Sequence, residues 1–77
     1  MTDVRFPQLS QEEPDAEGVL ATWFVRDGDH VAEGQLIAEV MVNKVSIEVL
    51  APEGGEIHLL VTEERPVRQG NAIARLS

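Results

Sequence analysis

The stretch LIAEVMVNKVSIEV, residues 36–49, decides the fold of this chain. Apolar and polar residues alternate on both sides of its centre, and a period of two is typical of a strand with one buried face. The residues predicted to face inward are Leu36, Ala38, Val40 and Val42 before the centre and Val45, Ile47 and Val49 after it. Only Asn43 and Lys44 separate the two runs, which predicts a tight β-hairpin.

The rest of the chain also has strand character, and no segment shows a convincing helical period. Longer strands are predicted at residues 19–25, 57–61 and 72–76, and shorter ones around 4–6, 31 and 67. Residues 27–29 and 51–55 carry turn signals, and the polar, acidic residues 8–17 are interpreted as a loop. The pattern therefore predicts an all-β chain.

An internal repeat relates the two halves of the sequence. Sliding residues 18–40 by 36 positions onto residues 54–76 gives six identities in 23 ungapped pairs, where average composition gives roughly one or two. The identical pairs are Gly18/Gly54, Val25/Val61, Val31/Val67, Gly34/Gly70, Ile37/Ile73 and Ala38/Ala74. Two equivalent halves predict a fold with a pseudo-twofold axis.

A small all-β chain must hide the edges of its sheets, and two sheets with strands exchanged between the halves do so. We therefore predict a flattened barrel or sandwich of two four-stranded antiparallel sheets. The hairpin at Asn43 and Lys44 should protrude at one end, with the chain termini at the other. The predicted buried residues are Ala38, Val40, Val45, Ile47, Val49, Ile57, Ala74 and Leu76.

Composition limits the function. The 77 residues predict a single domain, 1–77, and the absence of cysteine excludes disulfides and thiolate metal sites. A net charge of -8 argues against nucleic acid and anionic membranes as partners. No apolar run approaches the ~18 residues of a membrane span, and the N-terminus has no signal-peptide pattern. We expect a soluble, unsecreted chain.

Lys44 is the only lysine, beside five arginines. A lone amine at a hairpin tip suits a single point of enzymatic acylation, which arginine cannot provide because its guanidinium stays charged. The alternative is an ordinary solvated turn residue. Asn43 accepts a positive φ more readily than Lys44, so a type I and a type I′ turn are both open. No residue near Lys44 is expected to activate it for self-catalysed Schiff-base chemistry.

Other candidate functional residues are few. His30 and His58 have no cysteine beside them and the acidic residues are scattered, which favours solvated positions over metal ligation. Trp23 is interpreted as a core residue. No catalytic residue and no metal site are predicted.

The chain resembles the lipoyl domains of the biotinyl/lipoyl attachment family, in particular those on acyltransferase (E2) subunits of 2-oxo acid dehydrogenase complexes. The resemblance covers nearly the whole chain, and the order and spacing of its motifs are more specific than any one of them. These motifs are VRFPQL at 4–9, EGVL at 17–20, WFV at 23–25, DGDHVAEGQL at 27–36, EVMVNKV at 39–45 and APEGGEI at 51–57.

The resemblance implies a two-sheet barrel and a lipoate in amide linkage on Lys44. It implies a swinging-arm carrier of acyl groups and electrons, not an enzyme. The implied partners are a lipoate ligase or lipoyl transferase, the decarboxylase (E1), the acyltransferase (E2) core and the dihydrolipoyl dehydrogenase (E3). We expect a monomer in the bacterial cytoplasm, or in the mitochondrial matrix after removal of a transit peptide. The lack of a linker or catalytic domain favours an excised N-terminal domain.

One position departs from the family pattern: Asn43 stands where an aspartate usually precedes the lysine. Asn43 and Val45 flank Lys44 and are the expected recognition residues. Biotinyl hairpins typically place methionine on both sides of the lysine, whereas here Met41 lies three positions upstream. The alternatives are a biotinyl carrier of a carboxylase or decarboxylase, and an unmodified structural or interaction module in which Lys44 is incidental.

Overall fold

The computed structural model describes residues 2–7, 17–42 and 44–77. These residues form eight strands and no helix. The strands are β1 (Thr2–Arg5), β2 (Glu17–Trp23), β3 (His30–Val31), β4 (Leu36–Val42), β5 (Val45–Leu50), β6 (Gly55–Leu59), β7 (Pro66–Arg68) and β8 (Ala72–Leu76). The predicted bounds of β4 and β8 are confirmed. The predicted loop at 8–17 lies outside the described residues, except that Glu17 begins β2.

The strands form two four-stranded antiparallel sheets, as predicted. The terminal sheet has the order β1-β8-β6-β3, and the lysine sheet, which bears the hairpin, has the order β5-β4-β2-β7. Each sheet takes two strands from each half of the chain. Exchanging β1–β4 with β5–β8 converts one order into the other, which is the predicted pseudo-twofold symmetry.

Backbone hydrogen bonds repeat between the halves. Gly28 N–H donates to the Ile57 carbonyl and Glu64 N–H to the Leu20 carbonyl, both at 2.7 Å. Gly28 and Glu64 both have positive φ, at 90° and 66°, so the two turns have the same geometry despite different residues. Residues 63–65 therefore form a turn equivalent to the one at 27–29.

The repeat is not ungapped throughout. Trp23 pairs with Ala38 as Leu59 pairs with Ala74, but Leu20 pairs with Val40 while Ile57 pairs with Leu76. Ala21 is an extra residue at a bulge in β2, so the shift between the halves becomes 37 before it. Gly18 is therefore equivalent to Gly55, not to Gly54 as the ungapped comparison predicts.

The core lies between the sheets, with Phe6, Leu20, Ile37, Ile57, Ile73 and Leu76 among its fully buried side chains. The predicted burial of Ala38, Val40, Val49, Ile57, Ala74 and Leu76 is confirmed. Two assignments on β5 are wrong: Val45 is 54% exposed, and Ile47 is only partly buried. Burial along β5 decreases towards the hairpin tip. β5 is an edge strand, and the core there covers Val42 on the neighbouring strand β4 but not Val45 opposite it.

Candidate functional site

The hairpin between β4 and β5 places Lys44 at one end of the molecule. Val42 pairs with Val45, which leaves two residues in the loop. A Cβ added to Gly18 would meet both Phe6 and Val42. Phe6, just after β1, is therefore close to Val42 at the base of the hairpin. β1 therefore runs towards the hairpin end, while its first residue, Thr2, pairs with Leu76. The termini and Lys44 accordingly lie at opposite ends, as expected from the sequence.

The backbone at Lys44 is in the left-handed region, with φ at 66°. A type I turn needs a φ near −90° at this position, whereas a type I′ turn needs a positive φ. This excludes the type I alternative. Asn43, the predicted recognition residue before Lys44, lies outside the described residues. The left-handed conformation costs a lysine about 1 kcal/mol or more, which the paired strands on either side must offset.

Lys44 is exposed, and no ion pair involving it is found among the described residues. Val45, the other predicted recognition residue, is exposed beside it. The site therefore offers a reachable primary amine on a rigid two-strand ladder. This arrangement fits an acyl group linked to Nζ, since neither a neighbouring side chain nor a pocket wall in the described part obstructs the amine.

A second feature is an open groove of about 670 Å³ between the two halves. It is lined by equivalent residues from each half: Trp23 and Leu59, Val25 and Val61, and Asp27 and Glu63. Asp27 accepts a hydrogen bond from Leu59 N–H at 2.8 Å, and Glu63 accepts one from Trp23 N–H at 2.9 Å. The two carboxylates therefore join the halves of the fold.

Trp23 is only partly buried, at the edge of the core rather than within it, and its indole N–H donates to the Val61 carbonyl at 3.0 Å. His58 Nε2 lies 3.3 Å from Glu56 Oε2 and 3.2 Å from Ser77 Oγ. Within the described ranges no group of three or more metal-ligating side chains is found, and no helix there could cross a membrane.

Sequence reasoning missed a set of residues on the outer face of the lysine sheet. Glu39 and Met41 of β4 and Glu48 of β5 lie on the two hairpin strands, and Val19, opposite Met41, lies on the adjacent strand β2. A signal was available: a two-residue loop that opposes Val42 to Val45 also opposes residues 39 and 48.

Known proteins are similar to this chain in sequence. The family model described as "Biotin-requiring enzyme", which covers biotin and lipoyl domains, matches residues 2–76. The chain is 39% identical over 75 residues to the dihydrolipoyllysine-residue succinyltransferase component of the 2-oxoglutarate dehydrogenase complex of Staphylococcus saprophyticus, covering 96% of this chain and 17% of the relative. The corresponding component of Bacillus subtilis is 30% identical, covering 100% of this chain and 18% of the relative.

A solved structure is similar over the full chain. The lipoyl domain of the 2-oxoglutarate dehydrogenase complex from Azotobacter vinelandii matches with a TM-score of 0.81 and 29% identity, covering 100% of this chain and 96% of that one. The present chain spans less than a fifth of the length of the curated relatives it matches. The chain belongs to the biotinyl/lipoyl attachment family, and within it resembles the lipoyl domains of E2 acyltransferase subunits of 2-oxo acid dehydrogenase complexes.

Proposed function

We propose that this chain is a lipoyl carrier domain in which Lys44 bears lipoate in amide linkage. The observation that carries the proposal is the position of the sole lysine: an exposed amine at the tip of a closed hairpin, on a fold shared with a lipoyl domain. The lysine-bearing loop is held by the β4–β5 ladder, so the attachment point is fixed while the side chain is free to move.

The chain's own residues supply an anchor. An amide does not form between an amine and a free carboxylate in water, so attachment requires a separate enzyme that delivers an activated carboxyl group. That enzyme is a lipoate ligase or lipoyl transferase. The bond between the lipoyl carboxyl carbon and its activating group breaks and that group leaves, while Nζ of Lys44 bonds to the same carbon and loses a proton. The bound dithiolane supplies the acyl-transfer and redox chemistry, and the domain itself is not an enzyme.

The partners follow from this role. The domain presents the Lys44-linked group in turn to a decarboxylase (E1), the acyltransferase (E2) core and the dihydrolipoyl dehydrogenase (E3), in the cytoplasm of a bacterium. Tethering keeps the effective concentration of the group high at each active site. The relatives named above are components of 2-oxoglutarate dehydrogenase complexes, so we propose 2-oxoglutarate as the acid decarboxylated.

The test is the modification itself. Protein made in a lipoylating host, analysed by intact mass, should carry one lipoyl group that the Lys44→Arg variant lacks. Purified domain should also accept lipoate from a lipoate ligase and ATP, and accept little biotin from a biotin ligase. Biotin transfer without lipoyl transfer would refute the lipoyl assignment, and transfer by neither enzyme would favour an unmodified structural or interaction module.

A further inference from the structure

The outer face of the lysine sheet carries an apolar row next to the hairpin. Ser46 pairs with Met41, Met41 with Val19, and Val19 with Pro66, so these four residues form one row across all four strands. All four are exposed, Met41 at 39% and Val19 at 38%. Three of the four are apolar, and the row is continuous with the strands that end at Lys44.

An acidic pair occupies the next row. Glu39 and Glu48 are directly opposed on β4 and β5, and like charges at such positions destabilise a sheet. Neither carboxylate forms an ion pair within the described part of the chain. Beyond them Leu36 pairs with Leu50, which is 52% exposed. The bulge at Ile37 puts Leu36 on this outer face, so its predicted inward position is wrong. The uncompensated acidic pair therefore lies between two apolar rows.

The terminal sheet carries different side chains at the equivalent positions of its outer face. Asp3 pairs with Arg75 there, and Arg75 with His58, in the row equivalent to Glu48, Glu39 and Thr22. Arg75 Nε lies 3.3 Å from an Asp3 carboxylate oxygen, so the opposed charges are matched. The row equivalent to Met41 and Val19 contains Ser77 and Glu56, both exposed and polar.

Resting on the proposed function, we infer that the outer patch, defined as Val19, Met41, Leu50, Glu39 and Glu48, docks the decarboxylase component that acts on the Lys44-linked group. The contact it fits is an arginine or lysine flanked by apolar side chains. An arginine reaching between the two carboxylates removes their repulsion and donates to both, since its guanidinium carries five N–H groups in a fixed fork.

Charge and position both select a basic protein surface. The chain's net charge of -8 repels anionic lipids and nucleic acid. Because the patch continues into the hairpin, a partner seated on it has Lys44 at the edge of the contact. The patch thus holds the body of the domain while the lysine side chain extends into the partner's active site.

The test compares two charge-matched variants of the fully lipoylated domain. Glu39→Gln with Glu48→Gln neutralises the patch, and Asp3→Asn with Glu56→Gln removes two charges from the terminal sheet, so each variant changes net charge from -8 to -6. Complete lipoylation is verified by intact mass and folding by thermal melting. The substrate reaction is acylation by the decarboxylase component of a bacterial 2-oxoglutarate dehydrogenase complex.

We expect the patch variant to lose about five- to tenfold in kcat/KM at low salt, mainly through KM, with the loss shrinking at high salt. The terminal-sheet variant should lose less than about twofold. A third variant, Met41→Ser, should raise KM with little dependence on salt, since it removes apolar contact and no charge.

The outcomes separate the patch from the carrier role. Equal losses in the two charge variants, or no loss in either, overturn the docking surface while leaving the carrier role intact. Slower lipoylation with unchanged acylation assigns the patch to the ligase and overturns the occupant inferred above. A wild-type domain that is lipoylated but is not acylated by the decarboxylase overturns the docking inference and the choice of 2-oxoglutarate. A wild-type domain that accepts no lipoate overturns the proposed function and the patch with it.

Discussion

The lysine sheet and the terminal sheet agree on their inner faces and differ on their outer ones. Inside, Ile37 and Ala38 of β4 are matched by Ile73 and Ala74 of β8, all fully buried. Ile37 is an extra residue opposite β5 and Ile73 an extra residue opposite β1. These equivalent bulges turn two successive side chains inward, so both halves fill their interior in the same way.

Outside, equivalent positions have diverged in chemistry. Arg75 beside Asp3 gives the terminal sheet a matched pair, and Glu39 beside Glu48 gives the lysine sheet a repelling one. Close packing holds interior positions to one volume and shape, whereas exposed positions tolerate substitution at a cost of a few tenths of a kcal/mol. The difference indicates that the fold constrains the inner faces and leaves the outer faces free to differ in charge.

The largest effect that tests this comparison is the loss of modification. Moving the only lysine to the opposite end, in the Lys44→Arg/Ser77→Lys double variant, should abolish lipoylation. Ser77 lies beside the chain start rather than in a closed turn with a positive φ, so a ligase that recognises the hairpin finds no equivalent site. Intact mass after incubation with lipoate ligase measures this, and a lipoyl group on residue 77 would show that any exposed lysine suffices.

The next largest effect is the loss of stability when the buried isoleucine at either bulge is shortened. Ile37→Ala and Ile73→Ala should each lower the free energy of unfolding by roughly 2–5 kcal/mol, because both side chains are fully buried. The two losses should agree within about 1 kcal/mol. Ile47→Ala, at a partly buried position, should cost less than about 2 kcal/mol. Denaturant melts decide this, and a larger loss at Ile47 than at Ile37 would contradict the assigned inner face.

A smaller loss of stability is expected at Gly18, where the side chain of Phe6 leaves no room for a Cβ. A Cβ on Gly18 would lie 2.1 Å from Cζ of Phe6, and Phe6 is fully buried, so its ring can shift only by disturbing its core neighbours. Gly18→Ala should therefore cost about 1–3 kcal/mol. Adding Phe6→Leu should recover part of that loss, so the double variant should be more stable than the sum of the single changes predicts.

The control is Gly34→Ala, where the reason for glycine is different. Gly34 has a φ of 82°, and a Cβ added there would have no neighbouring atom within 4 Å, so the cost of about 1 kcal/mol comes from backbone conformation alone. Phe6→Leu should not relieve it. Rescue of both glycine variants by Phe6→Leu would mean that the clash at Gly18 is not the cause.

The sequence predicts the fold well where its pattern is regular. The bounds of β4, Leu36–Val42, follow from alternation, and the two-sheet architecture follows from the repeat. The bulges at Ile37 and Ala21 could not be predicted, because an extra residue in a strand leaves no mark in an apolar run. The exposure of Val45 was missed because alternation reports which face a residue is on, not whether the core extends that far.

The candidate site, too, is predicted from the sequence only in part. Lys44 is found by counting, since a chain with one lysine offers one amine to modify. Its positive φ does not follow from the sequence, because local preference disfavours that conformation for lysine and only the paired strands impose it. The pairing of Glu39 with Glu48 depends on register, which the hairpin loop fixes but which charge pattern alone does not reveal.

The smallest expected effect concerns the acidic pair itself. Glu48→Arg places a cation opposite Glu39 and should stabilise the folded domain by about 0.2–1 kcal/mol, with the gain diminishing as salt rises. Arginine is chosen so that Lys44 stays the only lysine. The mirror change on the terminal sheet, Arg75→Glu, puts a second carboxylate opposite Asp3 and should destabilise by a similar amount. Thermal melts at low and high salt measure both.

If Glu48→Arg stabilises the domain and also slows its acylation by the decarboxylase, the native pair costs stability and is retained for docking. If it leaves stability unchanged at both salt concentrations, the two carboxylates do not repel each other appreciably and the contrast between the sheets has no energetic basis at this row.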